Sequence, residues 1–185
     1  MVELKPFDFQ NVQTHFKWNN DEELNFYDSD YPHKIESFES FLQRVKGEIH
    51  DNPSTELLEI HSEKKHELIG IIDIHDIDYY NLRCTLECTI GEKRYWNKGY
   101  GKHAMAQALS YCFDDLKMNK VITAAFDFNK TWIGLVRKLG FNQEGELREH
   151  TFKQDRFHNK LMFGMVKSEY EALKETIFNK KVMIR

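Results

Sequence analysis

The sequence predicts one mixed α/β (α+β) domain over residues 1–185, and three observations predict it. Polar and apolar residues alternate through 68–78, as they do in a half-buried strand. Apolar residues recur at spacings of three and four in Ile35, Phe38, Leu42, Val45 and Ile49, as on an amphipathic helix. Between and beyond these, residues 85–116 read as strand, glycine-bearing turn and long helix, and residues 121–139 as strand and helix again. With 41% hydrophobic and 30% charged residues and three prolines, 185 residues suit one compact core and would be cramped as two.

In chain order, residues 2–5 make a short strand, and Asp8 caps a helix in which Val12 and Phe16 lie one turn apart and which Trp18 closes. A turn-rich passage through Asp28, Ser29, Asp30 and Pro32 leads to the helix that begins with Ile35, which Asp51-Asn52-Pro53-Ser54 breaks. Residues 57–62 and 68–78 are two antiparallel strands joined through Glu63-Lys64-Lys65-His66-Glu67. In the second, Ile72 and Ile74 face one side, Asp73 and His75 the other. Asp73, His75 and Asp76 do not suggest a metal, because adjacent strand positions point to opposite faces and no further ligand stands at a workable spacing. Tyr79-Tyr80-Asn81 turns into a strand over 83–90. After the glycine turn, Ala104, Ala108, Leu109, Cys112, Phe113 and Leu116 form the stripe of one helix. Residues 121–126 are a short buried strand, and Asn129 opens a helix to Leu139 with Gly140 in the left-handed position past its end. Two strands about a turn near Asp155-Arg156 and a helix from Ser168 follow.

The glycine turn carries the chemistry. In Tyr95-Trp96-Asn97-Lys98-Gly99-Tyr100-Gly101-Lys102-His103 two glycines let backbone N–H groups approach a ligand that a Cβ would hold off, and the next helix adds its unpaired amides and the positive end of its dipole. That suits a phosphate or pyrophosphate, although a turn that merely caps a helix has the same pattern. Gly99-x-Gly101-x-x-Ala104 also fits a dinucleotide fingerprint, but residues 92–96 separate strand from glycines, and Asp114, Asp115 and Asp127 stand at the wrong distances for the ribose acid.

Composition excludes other classes. No apolar run approaches the ~18 residues of a membrane span, and residues 1–10 lack a signal peptide's order, so a cytoplasmic protein is expected. Cys84, Cys88 and Cys112 show no metal or redox spacing and read as reduced core thiols. The net charge of −4 conceals an asymmetry: residues 20–64 hold twelve Asp or Glu against four Lys or Arg, and the remainder carries +4. Lys93, Arg94, Lys98 and Lys102 surround the glycine turn; the acidic stretch is either a solvated face or an attraction for a cation.

Three segments carry a family likeness: Ile90-Gly91-Glu92-Lys93-Arg94-Tyr95-Trp96-Asn97-Lys98-Gly99-Tyr100-Gly101; Asn129 with Lys138-Leu139-Gly140-Phe141; and Glu144-Gly145-Glu146-Leu147-Arg148-Glu149. They resemble the GNAT N-acetyltransferase superfamily, and within it the ribosomal-protein acetyltransferase-like (RimJ/RimL) and spermidine acetyltransferase-like branch. The resemblance is strong over residues 68–170 and thinner earlier, where Trp18-Asn19-Asn20-Asp21-Glu22-Glu23 is similar to the family's first helix end. It implies the acyl-CoA N-acyltransferase fold, a splayed, mostly antiparallel sheet flanked by helices, with acetyl-CoA as co-substrate. The acceptor is then a polyamine or other small cationic amine, or a protein N-terminal amine, with a sugar or antibiotic amine left open and with neither nucleic acid nor membrane as partner. A homo-oligomer is left open.

The resemblance also assigns roles. Thr89, Ile90 and Gly91, at the splayed strand end, offer backbone groups to the pantetheine arm and the thioester carbonyl. Trp96, Asn97, Lys98, Gly99, Tyr100, Gly101, Lys102 and His103 cradle the pyrophosphate, and Asn129 bonds the pantetheine. Phe26, Tyr27 and Tyr31 lie between the two helices that line the family's acceptor pocket, and Asp21, Glu22 and Glu23 are the carboxylates expected to attract the amine. An alkylamine of pKa ~10 must lose a proton before it attacks. Glu87, on the face of Thr89, is the candidate base, relay carboxylate or amine ligand, although the family's acid usually stands where this chain has Thr85 or Leu86. Val136 replaces the tyrosine that protonates the leaving sulfur in many relatives, and Trp132 and Gly134 replace small and basic residues. These departures keep open a non-catalytic acyl-CoA sensor on the same fold.

Overall fold

The computed structural model describes residues 1–179; the part of the expected domain at 180–185 lies outside the described residues. Seven strands form one sheet in the order β1-β2-β3-β4-β5-β7-β6. The strands are β1 (Val2–Pro6), β2 (Glu56–Ser62), β3 (Glu67–Asp78), β4 (Arg83–Thr89), β5 (Lys120–Phe126), β6 (Asn142–Lys153) and β7 (Arg156–Val166). All neighbours are antiparallel except β4 and β5. Sequence chemistry explains the turns. Asp78 accepts the amides of Tyr80 (3.1 Å) and Asn81 (2.8 Å), which folds β3 back into β4. Gln154 and Asp155 both have positive φ, as a two-residue hairpin between β6 and β7 requires. The parallel step from β4 to β5 needs a crossover, and a helix provides it.

The helices are α1 (Val12–Asn19), α2 (Glu22–Asp28), α3 (Phe38–His50), α4 (Tyr100–Ser110), α5 (Lys130–Leu139) and α6 (Lys167–Asn179). α4 crosses from β4 to β5 with Ala104, Met105, Ala108 and Leu109 fully buried in one core with Ile72, Leu86, Val121 and Met165. A smaller cluster of Val12, Phe41 and Val45 joins α1 to α3 over one end of the sheet. Buried Glu59 anchors α1 to β2: one oxygen accepts the Asp8 amide (3.2 Å) and meets His15 Nε2 (2.9 Å), the other accepts Asn11 Nδ2–H (2.9 Å) and meets His61 Nε2 (2.8 Å). Burial opposes its charge, but these bonds hold its carboxyl below the usual range.

Three expectations need correction. The passage after Trp18 is not all turn: Asp21 accepts the amides of Glu23 and Leu24 and opens α2. Ile35 lies outside α3 and is 76% exposed, and Phe41 and Val45 make the buried stripe, because Ser37 caps the helix two residues beyond Ile35. The α-helical run after the glycine turn ends at Ser110 and continues as a π-turn over Tyr111–Asp115, where the Tyr111 hydroxyl donates to Glu56 at 2.6 Å.

Gly91 sets where α1 ends relative to β4. A methyl group there would stand 2.1 Å from Trp18 Cδ2 and 2.3 Å from Cε2, so the indole lies directly on the glycine. Gly91→Ala is therefore expected to destabilise the domain by about 1–3 kcal/mol, the usual cost of overpacking. A thermal melt coincident with wild type would show that Trp18 yields without cost.

Candidate functional site

The N-terminus of α4 leaves its first amides open, an arrangement that suits an anion. Asp21, Ser37 and Asn129 cap α2, α3 and α5 with their side chains, but Gly99 opens α4 with no side-chain cap. The first ladder bond there runs from His103 N to Gly99 O (3.1 Å), so the amides of Tyr100, Gly101 and Lys102 have no intrahelical partner. Gly99 (φ 85°) and Asn97 (φ 56°) are left-handed, which turns the loop tightly into the helix. A Cβ on Gly101 would meet Ile90 Cγ1 and Leu135 Cδ1 at 3.6 Å, an ordinary contact, so the fold itself does not demand glycine there.

Beside this loop the sheet splays. The parallel pairing runs from Arg83↔Lys120 to Thr85↔Ile122 and then stops, leaving 86–89 of β4 and 123–126 of β5 to diverge. A slot of about 90 Å³ opens between them, lined by Cys88, Thr89, Ala124, Phe126, Asn129 and Trp132. Trp132 Nε1–H takes the Ala124 carbonyl (2.9 Å), and Trp96 Nε1–H takes that of Ile90 (2.6 Å), which pins an indole across the end of the strand. A Cβ on Gly70 would lie 2.3 Å from the Thr89 oxygen; this close approach of β3 holds the Thr89 carbonyl in place.

A larger cavity, about 250 Å³, lies between the sheet and α1, α2 and α3. Its lining includes Asp28, Glu48, Asp73 and Glu87, with Arg44 as the cation. Arg44 is already engaged by Glu36 and Glu48, each at 3.0 Å. Asp73 Oδ1 and Asn25 Oδ1, both on cavity residues, are buried and accept no hydrogen bond among the described residues. Buried acceptors without donors are costly and suit a ligand that brings N–H groups. Burial pushes the Asp73 carboxyl up to about 6, with Glu87 and Glu48 adding and His75 and Arg44 opposing. His75 rises to about 9 because Glu87, then Asp73 and Asp76, surround it against the cost of burial. Its Nδ1 lies 3.0 Å from Asp76 Oδ2, whereas Nε2 is 3.9 Å from Glu87 Oε1, beyond hydrogen-bond reach, so that second hold is electrostatic.

The two cavities meet. Asp28, Glu87 and Thr89 line both, and Asp28 Oδ2 accepts the Thr89 hydroxyl at 2.7 Å. Asp28 is solvent-exposed at the mouth of the cleft, and the protein crowded around it pushes its carboxyl up toward about 6, a shift that the open side screens; the Thr89 bond opposes it, Glu87 adds to it and Lys153 opposes it again.

Of the expected site residues, Tyr27, Glu87, Thr89 and Asn129 come together at the slot. Ile90 and Gly91 follow directly after the end of β4 at Thr89, and residues 96–103 form the loop and first turn beside it. Lys98 Nζ turns back onto the Arg94 carbonyl (2.7 Å), and half-buried His103 pairs with Gln107 (3.2 Å). Phe26 packs on Phe128 (4.9 Å) and Tyr31 is 77% exposed; neither lines the slot or the larger cavity. The carboxylates at the head of α2 are also displaced: Lys93 Nζ stands 2.8 Å from both Asp21 and Glu23, so these acids pair with the segment before the glycine loop and do not line the larger cavity. Cys84 and Cys112 are buried thiols as expected, but Cys88 lines the slot, its thiol pushed far up by burial. Val136 is wholly buried in the core, so a tyrosine there would be enclosed too. Sequence reasoning missed Asp28 and assigned no role to Asp73. The available signal was the capping pattern Asp21-Glu22-Glu23, which announces α2 and with it the position of Asp28.

Residues 2–142 match the acetyltransferase (GNAT) domain model. Over 109 residues the chain is 32% identical to the SPbeta prophage-derived uncharacterized N-acetyltransferase YokL of Bacillus subtilis, covering 59% of this chain and 61% of that protein. It therefore spans about three fifths of the length of that relative. It is 24% identical over 176 residues to the spermidine N(1)-acetyltransferase of Escherichia coli, covering 95% and 91% of the two chains. The crystal structure of spermidine N-acetyltransferase from Vibrio cholerae in complex with CoA and spermine superposes with a TM-score of 0.83 at 22% identity, over 92% of this chain and 98% of that one, and so shares its fold. With the splayed sheet and the uncapped glycine turn in place, the domain match over three quarters of the chain settles its family: the chain belongs to the GNAT acetyltransferases.

Proposed function

We propose that the protein transfers an acetyl group from acetyl-CoA to a primary amine of a small polycationic acceptor, a polyamine being the class that fits. One observation carries this reading: a slot beside an uncapped helix N-terminus meets, at Asp28, Glu87 and Thr89, a cavity lined by carboxylates and unpaired acceptors. The free amides of residues 100–102 would hold the pyrophosphate, with Lys102 adding charge. The backbone of Thr89, Ile90 and Gly91 and the side chain of Asn129 would line the pantetheine and the thioester. Asp73 and the Asn25 amide oxygen would take the distal ammonium, and Glu87 the reacting one or its proton relay. No side chain at Val136 is needed for the sulfur, because a thiol of pKa ~8.5 leaves as thiolate at modest cost near neutral pH. Three relatives named spermidine N(1)-acetyltransferase support the polyamine class, whereas one named putative ribosomal N-acetyltransferase supports a protein amine.

Thiol release from acetyl-CoA with spermidine, a neutral-tailed monoamine of equal length and a peptide with a free α-amine tests the proposal. Spermidine should show the lowest KM, rising with added salt as charge attraction is screened over ~8 Å. Preference for the peptide would replace the polyamine reading. Absence of release with every amine would return the chain to an acyl-CoA sensor.

A further inference from the structure

We propose that Asp28 is the group that receives the acceptor's proton: it reaches both the amine cavity and the thioester slot, and it holds no cation of its own among the described residues. The inference rests on the reading of the site as an amine acetyltransferase and assigns it a residue that the family likeness does not.

Glu87 and Asp28 are the two carboxylates at the junction, and their surroundings differ. Glu87 stands across from Asp73 in the β3–β4 register and has the His75 cation beside it at 3.9 Å. Asp28, the last residue of α2, is fixed by a single neutral donor, the Thr89 hydroxyl. The charged groups facing it from each packed element are Glu87 on β4 and Lys153 on β6, with Asp73 and His75 behind them on β3. Lys153 is committed elsewhere: its Nζ donates to the Phe26 carbonyl (2.7 Å) and lies over the Phe26 and Phe126 rings. Asp30 and Lys160 neutralise each other at 2.6 Å.

A carboxyl raised above its ordinary value of 3.8 toward about 6 is still ionised at neutral pH and better placed to take a proton from an amine of pKa ~10. The Asp28 carboxylate takes one proton from the ammonium, freeing the nitrogen lone pair. The nitrogen forms its bond to the thioester carbonyl carbon, and the carbon–sulfur bond breaks with its electron pair on sulfur. The second proton, lost from nitrogen as the amide forms, goes to the thiolate. Asp28 then returns its proton to water, so one proton is released per acetyl group transferred. Glu87 remains the ligand that orients the ammonium.

The test is Asp28→Asn, which keeps size and polarity but cannot accept the proton, compared with Glu87→Gln. With spermidine as acceptor, Asp28→Asn should lower kcat about a hundredfold or more and remove the acid limb, near pH 6, from the kcat/KM profile. CoA affinity by calorimetry should be unchanged. With a weakly basic primary amine that is already neutral at pH 7, the loss should shrink below about tenfold, because no base is then required. Glu87→Gln should act mainly on KM and keep the acid limb. An Asp28→Asn enzyme with unchanged kcat and acid limb, or with equal losses on both amines, overturns the assignment while leaving the acetyltransferase reading intact. A wild-type protein that acetylates no amine overturns both.

Discussion

In calorimetry, Gly101→Val is expected to lose at least about a hundredfold in CoA affinity while its far-UV spectrum and melting temperature stay close to wild type. Gly101 has no positive φ, and a Cβ there meets only two side-chain carbons at 3.6 Å, so the isolated fold accepts a side chain. A branched side chain would stand where the amides of residues 100–102 must approach the pyrophosphate. Gly99 provides the contrast. Its φ of 85° strains any other residue whether or not a ligand is bound, so Gly99→Ala should lose stability as well as affinity. If folded Gly101→Val bound CoA as wild type does, the loop would be a helix start and nothing more.

Asp73→Asn should raise stability at neutral pH and at the same time raise KM for spermidine about tenfold, the loss of one partly screened charge partner. In the unfolded chain an Asp releases its proton near pH 3.9, whereas Asp73 in the fold holds it to about 6. Between those values the folded state binds the extra proton, so stability falls as pH rises through the window and stays lower above it. The asparagine variant lacks this loss. The two proteins should therefore melt together below about pH 4 and separate above 6 by on the order of 1–2 kcal/mol, a few degrees for a chain of this size. His75 acts with the opposite sign: its stabilisation is complete below its unfolded value of ~6.5 and is lost as pH rises through about 9. A melting difference independent of pH, or an unchanged KM, would remove Asp73 from the amine site.

Locally encoded features were legible, and each has a local cause. Asn129 opens α5 because its side chain accepts the Trp132 amide (3.1 Å), and Gly140 closes it at φ 99°; both signals lie within a few residues of what they specify. The same holds for the Asp78 turn and the alternation along β3. The helix α2 was lost to the turn reading because seven residues give little periodicity, although Asp21 marks its start. Ile35 was drawn into α3 by spacing alone, while the Ser37 cap decided otherwise.

By itself the sequence determined the order of the strands and of every described helix but α2, the glycine turn that opens α4, and, through three short segments, the likeness to an acetyltransferase family. Tertiary structure decided which acids line the larger cavity. Asp21 and Glu23 are consumed by Lys93, some seventy residues along the chain, while Asp28 and Asp73, unremarkable in sequence, are carried to the cavity by α2 and β3. It also turned Val136 into the core, where the family's position had suggested a place beside the sulfur. The division has one physical reason. Backbone periodicity, capping and turn geometry are set by neighbours in sequence, whereas burial, charge pairing and proton affinity depend on groups that meet only when the sheet is assembled.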